Sequence, residues 1–207
     1  MIIETPSETD AAGHVAEMYA EDRDDVGFVF PYTRAMAVIP AAHQAFEDLL
    51  RAVVPSIGIR TYELVTLAAA RAIASSHCLL AHGRKALRAG VVDEEQLARL
   101  IQDRDFGDLA AADVAAIEYA EKLSAAPDTM TDADSLHLRE VGFSDEQIVA
   151  ITLTAAARNF LSRALLALAV PVVDVPGLGP QLTEALLAPV AELRERRVSG
   201  GRTPSAG

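Results

Sequence analysis

The one thiol in the chain, Cys78, stands four residues before an imidazole, His82, in the stretch Ser75-Ser76-His77-Cys78-Leu79-Leu80-Ala81-His82. On an α-helix, positions i and i+4 share a face and lie within contact distance, so this spacing lets sulfur and ring share a proton. His77 adds a second nearby base. A cysteine is a nucleophile only as its thiolate, which a helix N-terminus or a neighbouring imidazolium favours. A lone cysteine is by default a small buried hydrophobe. Two histidines within four residues at a predicted helix start shift the balance towards a reactive thiol.

That thiol needs a helix to carry it and a second helix to face it. Thr61 is read as the cap of a helix through Glu63, Leu64 and Leu67 to about Ala74, with the motif helix following to Arg88 or Ala89 and Gly90 as its stop. Before them, residues 1–9 read as an arm, residues 10–22 carry helical spacing, and Pro40 opens a helix ended by Pro55-Ser56-Ile57-Gly58. After them come a short helix opened by an Asp93/Gln96 capping box, a helix over 109–123, a Thr131-capped helix stopped by Gly142, and a long helix opened by Ser144 and Gln147. A last amphipathic helix spans 182–196, with Pro189 as a candidate kink, and residues 198–207 form a Gly/Ser/Pro tail expected to be disordered.

Composition agrees with an all-α fold. Of 207 residues 51% are hydrophobic but only 5% aromatic, with no Trp, which suits helices packed closely through small side chains. The expected organisation is one helical domain over 10–197. A net charge of −12 repels phosphate backbones and anionic bilayers, so neither nucleic acid nor membrane is an expected partner. The most apolar stretch, 148–173, contains Arg158, Asn159, Ser162 and Arg163 and reads as a core helix. One cysteine allows no internal disulfide, and the N-terminus lacks a basic segment followed by an apolar run, so a cytoplasmic location is expected. No glycine-rich phosphate loop, HExxH or CxxC occurs, and neither a cofactor nor a metal site is expected.

Glu63, eleven residues, Ser75, two residues, Cys78, three residues and His82 resemble the E-x11-C-x2-C-x3-H core of the AhpD-like alkylhydroperoxidase and carboxymuconolactone decarboxylase family, with Ser75 in place of the first cysteine. The resemblance implies an AhpD-like helical bundle that assembles as a homo-oligomer and acts as a peroxidase on a small-molecule hydroperoxide. Cys78 is then the attacking thiol and His82 a member of its proton relay. Glu63 is a buried carboxylate orienting that relay, the alternative being an exposed helix-start Glu favoured by the macrodipole. Glu63 precedes Cys78 by about 22 Å of straight helix, so it joins the site only if the chain folds back near Ser75. His77 has a counterpart in some members, and a solvent-exposed helix-start His explains it equally well. A serine cannot condense with a sulfenic acid, so turnover would need an external thiol reductant. Asn159 and Arg163 resemble a polar pair of the longer, peroxidase-related members and are read as a clamp to a neighbouring helix. Two alternatives stand: a decarboxylase-like lyase, for which Arg60, Arg71 and Arg84 are the nearby basic residues, and a non-catalytic helical scaffold or ligand-binding protein. For assembly, the helices at 10–22 and 182–196 are the candidate contacts.

Overall fold

The computed structural model describes residues 1–200 and contains nine α-helices and one 3₁₀ turn among them. The first helix, α1 (His14–Val26), starts four residues later than its spacing suggests. Asp10 is held in a turn by the Ser7 hydroxyl at 2.6 Å, and Gly13 at φ 57° carries the chain into the helix. Residues 1–9 are pinned: Tyr19 donates to the Pro6 carbonyl at 2.9 Å, and the Glu8 carboxylate holds both Arg23 and Arg34. A helix that the sequence does not signal, α2 (Pro31–Met36), follows; Pro31 supplies its preset φ at the first position, and the Asp22 carboxylate accepts the Phe30 N–H at 2.9 Å.

The centre of the bundle is α3 (Pro40–Ala72), which packs against most of the other helices. The expected stop at 55–58 is a sharp break within it: Pro55 cannot donate a backbone bond, and Gly58 sits at φ 71°, ψ 166°. The second segment starts before Thr61, which lies inside the helix and not at its cap. At its end the chain turns through Ala74, a left-handed residue at φ 60°, and the Ser75 N–H closes the turn on the Ala70 carbonyl at 2.9 Å. A Cβ in that conformation costs about 1–2 kcal/mol, and the reversal it makes lays α4 (Ser76–Arg88) back along α3. Gly90 at φ 64° then stops α4, with the Val91 N–H on the Ala86 carbonyl.

The other helices are α5 (Glu94–Gln102), α6 (Ala111–Ala125), α7 (Asp132–Glu140), α8 (Asp145–Ala167) and α9 (Pro180–Gly200), with the 3₁₀ turn at Pro127–Thr129. Both capping boxes read from the sequence are made, Asp93 with Gln96 and Ser144 with Gln147. The last helix continues to Gly200 with Pro189 inside it, so residues 198–200 of the expected tail are helical, and residues 201–207 lie outside the described residues. Small side chains let α4 approach α9: a Cβ on Gly83 would stand 3.0 Å from Leu186 and 3.4 Å from Leu97. α3, α8 and α6 meet through fully buried Leu64, Leu67, Ile117 and Ile151, and each such side chain stabilises the fold by about 1.5–3 kcal/mol. By length and composition α8 could cross a bilayer, yet half of that stretch is buried, and its Arg158, Asn159 and Ser162 point into the bundle.

Candidate active site

Cys78 is the third residue of α4, in the first turn, where the unpaired backbone N–H groups of a helix gather. Its Sγ shares a hydrogen bond with the Ser162 hydroxyl at 3.0 Å, and Nη1 of Arg158 donates to it at 3.8 Å. Arg158 and Ser162 are one turn apart on α8, so one helix presents both groups to the sulfur. Nη2 of Arg158 donates to the Tyr62 hydroxyl at 3.1 Å, and the guanidinium lies 6.0 Å from the Phe46 ring centre.

The reversal at Ala74 and Ser75 also brings Glu63 to His82, with Oε2 2.7 Å from Nδ1 and both side chains buried. Burial, and then the charge of Arg158, push the His82 imidazole down to about 4 against the pull of Glu63. The ring is therefore neutral at pH 7. Burial alone would raise the Glu63 carboxyl; contact with His82 outweighs it and holds the group below the ordinary carboxylate range, so Glu63 is an anion. A neutral ring donating Nδ1–H to a carboxylate carries its lone pair on Nε2. That nitrogen has no protein hydrogen-bond partner among the described residues.

Cys78, His77, His82, Tyr62 and Arg158 line one cavity of about 420 Å³, whose apolar walls include Phe46, Leu50, Leu161 and Leu165. No hydrogen bond joins Cys78 to His82; they share the cavity, and the direct partners of the sulfur come from α8. Glu63 and Ser75 stand behind the lining. His77 is buried and not a solvent-facing helix-start residue: its Nε2 donates to the Val170 carbonyl at 3.0 Å, past the end of α8. The Ser75 hydroxyl is buried without a partner and makes no capping bond to α4.

Arg163 donates to the Ser124 carbonyl at 3.3 Å and ties α8 to α6, while Asn159 is buried with its carbonyl oxygen unpaired. Arg60 is engaged by Asp113 and the Val91 carbonyl, Arg71 by Glu121 and the Ile101 carbonyl, and Arg84 by Asp25. None of these three lines the cavity. Sequence reasoning misses Tyr62, Arg158 and Ser162 as site residues. The available signal is an arginine and a serine four apart on one face of a mostly apolar helix. Among the described residues no group of three or more His, Cys, Asp or Glu side chains is placed to hold a metal ion.

Residues 40–122, which carry α3, α4, α5 and part of α6, match the family described as the carboxymuconolactone decarboxylase family. The match covers about two fifths of the chain, and the fold is AhpD-like. A solved structure titled as an alkylhydroperoxidase AhpD core, an uncharacterized peroxidase-related protein from Ralstonia eutropha JMP134, superposes with a TM-score of 0.72. It is 20% identical, over 89% of this chain and 95% of that one. An uncharacterized peroxidase-related protein from Silicibacter sp. TM1040 superposes with a TM-score of 0.67 at 22% identity, over 82% of this chain and 86% of that one. No curated protein matches the chain. In this AhpD-like fold the family match covers the Glu63, Cys78 and His82 side of the cavity and stops short of α8, which supplies Arg158 and Ser162.

Proposed function

We propose that the protein is a thiol-dependent hydroperoxide reductase that works through Cys78. The carrying observation is a cavity-facing sulfur held between the Ser162 hydroxyl and the Arg158 guanidinium. A negative charge on that sulfur is met by a fixed cation and by the N-terminus of α4. In the proposed step His82, oriented by Glu63, takes the thiol proton on Nε2. The sulfur then attacks one peroxide oxygen, the S–O bond forms as the O–O bond breaks, and the leaving alkoxide takes a proton from His82 and departs as the alcohol. Cys78 is left as a sulfenic acid. Ser75 cannot resolve it, so a small external thiol displaces water to form a mixed disulfide, and a second thiol releases Cys78. One hydroperoxide and two thiols give one alcohol, one water and one disulfide.

Peroxide treatment should give a dimedone adduct on Cys78 in the wild type and none in Cys78→Ser. A folded wild type that forms no adduct with any hydroperoxide would leave the non-catalytic scaffold as the better reading. The lyase reading is disfavoured because Arg60, Arg71 and Arg84, its candidate carboxylate receivers, are engaged elsewhere.

The proposal includes a homo-oligomer, with its contact on α8 and not on the helices that the sequence suggests. Leu182, Leu186 and Val190 of α9, and Met18 and Tyr19 of α1, are buried within the subunit. Val149, Leu153 and Phe160 form an exposed apolar stripe on α8, at 57%, 39% and 58% exposure, and isolated large apolar side chains on a monomer rarely align this way. Light scattering should give a mass above the 22.0 kDa of one chain, falling to that value in Phe160→Glu.

A further inference from the structure

Arg158 is 3% exposed, yet among the described residues no carboxylate lies within ion-pair distance of it, in a chain whose net charge is −12. Glu63 is held by His82, and the Nε of Arg158 has no partner. A buried cation is retained at a cost of several kcal/mol unless an anion joins it, so this end of the cavity is built for negative charge. Charge that develops on the Cys78 sulfur meets that need at one end. A second cation stands at the other end. Of the two lysines, Lys122 holds Asp134, whereas Lys85 has no ion-pair partner among the described residues and lines the cavity from its exposed position on α4.

Cys78, His82 and Lys85 fall at i, i+4 and i+7, on one face of α4. Seven residues separate the sulfur from the ammonium along the helix, about 10.5 Å of axis. Between them the wall is apolar, with Phe46, Leu50, Leu161 and Leu165 facing the space. Of the other charged groups on the lining, Arg51 is paired with Asp48, and the Glu47 carboxylate, 4.0 Å from a His43 whose pKa burial lowers, has no cation answering it there among the described residues; Lys85 and Arg158 together still outnumber it. Asp22, off the lining and held by the Phe30 N–H, feels the charge of Lys85 but lies outside ion-pair distance of it.

We propose that the cavity takes an amphiphilic organic monoanion, with its carboxylate at Lys85, its apolar chain along the Phe46 and Leu161 wall, and its other end at Cys78. For a substrate, that other end carries the hydroperoxide, which rests on the function proposed above; the placement of the carboxylate does not. Lys85 is the specificity-determining residue.

The test uses decanoate, which has no reactive group and whose extended chain matches the span, and its methyl ester, titrated calorimetrically into the full chain. Decanoate should bind wild type about tenfold more tightly than the ester, the loss expected for one charge-assisted hydrogen bond. Lys85→Met should remove that preference, and Lys85→Glu should reverse it. Bound decanoate should also slow iodoacetamide alkylation of Cys78. Equal affinity for acid and ester, an unchanged preference in Lys85→Met, or binding that leaves Cys78 alkylation unprotected would each overturn the proposal. The sulfenate assay is separate. A protein that binds decanoate through Lys85 but never forms a Cys78 sulfenate retains this ligand class and loses the peroxidase reading.

Discussion

The molecule buries two charged centres a few side chains apart and treats them oppositely. At Glu63 and His82 the hydrogen bond is short, both residues are buried, and the carboxylate is answered within the protein. At Arg158 the guanidinium touches a thiol and a phenol, neither of them a fixed anion, and one of its nitrogens has no partner. A satisfied buried pair holds geometry; an unsatisfied buried cation stores an affinity for whatever negative charge arrives or develops beside it. The first centre is therefore support for the His82 ring. The second is the working end.

Arg158→Met separates the two centres most strongly. If Arg158 stabilises developing charge, the rate of Cys78 sulfenate formation in stopped flow should fall about 10²–10³-fold, as for loss of one preorganised donor. Stability should not fall with it, because replacing an unpaired buried charge by an apolar side chain of similar volume is neutral or stabilising. An unchanged rate in a folded variant would show that the guanidinium serves the fold alone and that the two centres do not differ in kind.

The Glu63 and His82 centre makes its own prediction through pH. The His82 imidazole is depressed from 6.5 to about 4 on folding. The unfolded chain therefore binds a proton at this residue, as pH falls through 6.5, that the folded protein refuses until about pH 4. Stability must then decrease as pH falls through that window, and Glu63, also held low, adds loss in the same direction below its unfolded value. Between pH 7 and 5 the His82 contribution is on the order of 2 kcal/mol. Urea denaturation at the two values should show it, and His82→Gln should flatten the difference. A wild-type midpoint independent of pH would mean that His82 is not buried as a neutral base.

The half of the site carried by one continuous segment is legible in the sequence. Cys78 and His82 are joined by helical period, and Glu63 enters through a motif whose spacing requires a reversal near Ser75. The reversal is there, although the residue that makes it, Ala74, gives no glycine signal. The other half is not legible, for a physical reason. Arg158 lies 80 residues from Cys78, and a polar residue on an apolar helix is equally a clamp or a ligand until its facing helix is known. Arg163, the arginine that the sequence singles out on that helix, is such a clamp, and Arg158, five positions earlier, is the one that reaches the sulfur. Caps and glycine stops identify the helices well, as at Asp93, Ser144 and Gly90. Boundaries fail where tertiary contacts set them, as in α1, whose start depends on the pinned arm, and α2, a helix too short to show a period.

Whether the two centres are insulated from the rest of the bundle is decided at the far side of α4, where α5 packs. The capping box of α5 consists of the Asp93 carboxylate accepting the Gln96 N–H at 2.8 Å and the Gln96 side chain accepting the Asp93 N–H at 3.1 Å. It fixes a helix that buries Leu97, Leu100 and Ile101, largely against α9. Asp93→Ala should cost about 1 kcal/mol, a fall in Tm of about 2–4 °C for a chain of this size. Cys78 reactivity should stay at the wild-type value, since α5 contributes no residue to the cavity lining. One route could defeat this expectation: Gly83 of α4, one residue beyond His82, packs against both Leu186 and Leu97. A cap substitution that slowed sulfenate formation in step with the Tm shift would show that loosening α5 reaches His82 through Gly83. The rigid support would then have to be drawn to include α5 and α9 as well as Glu63.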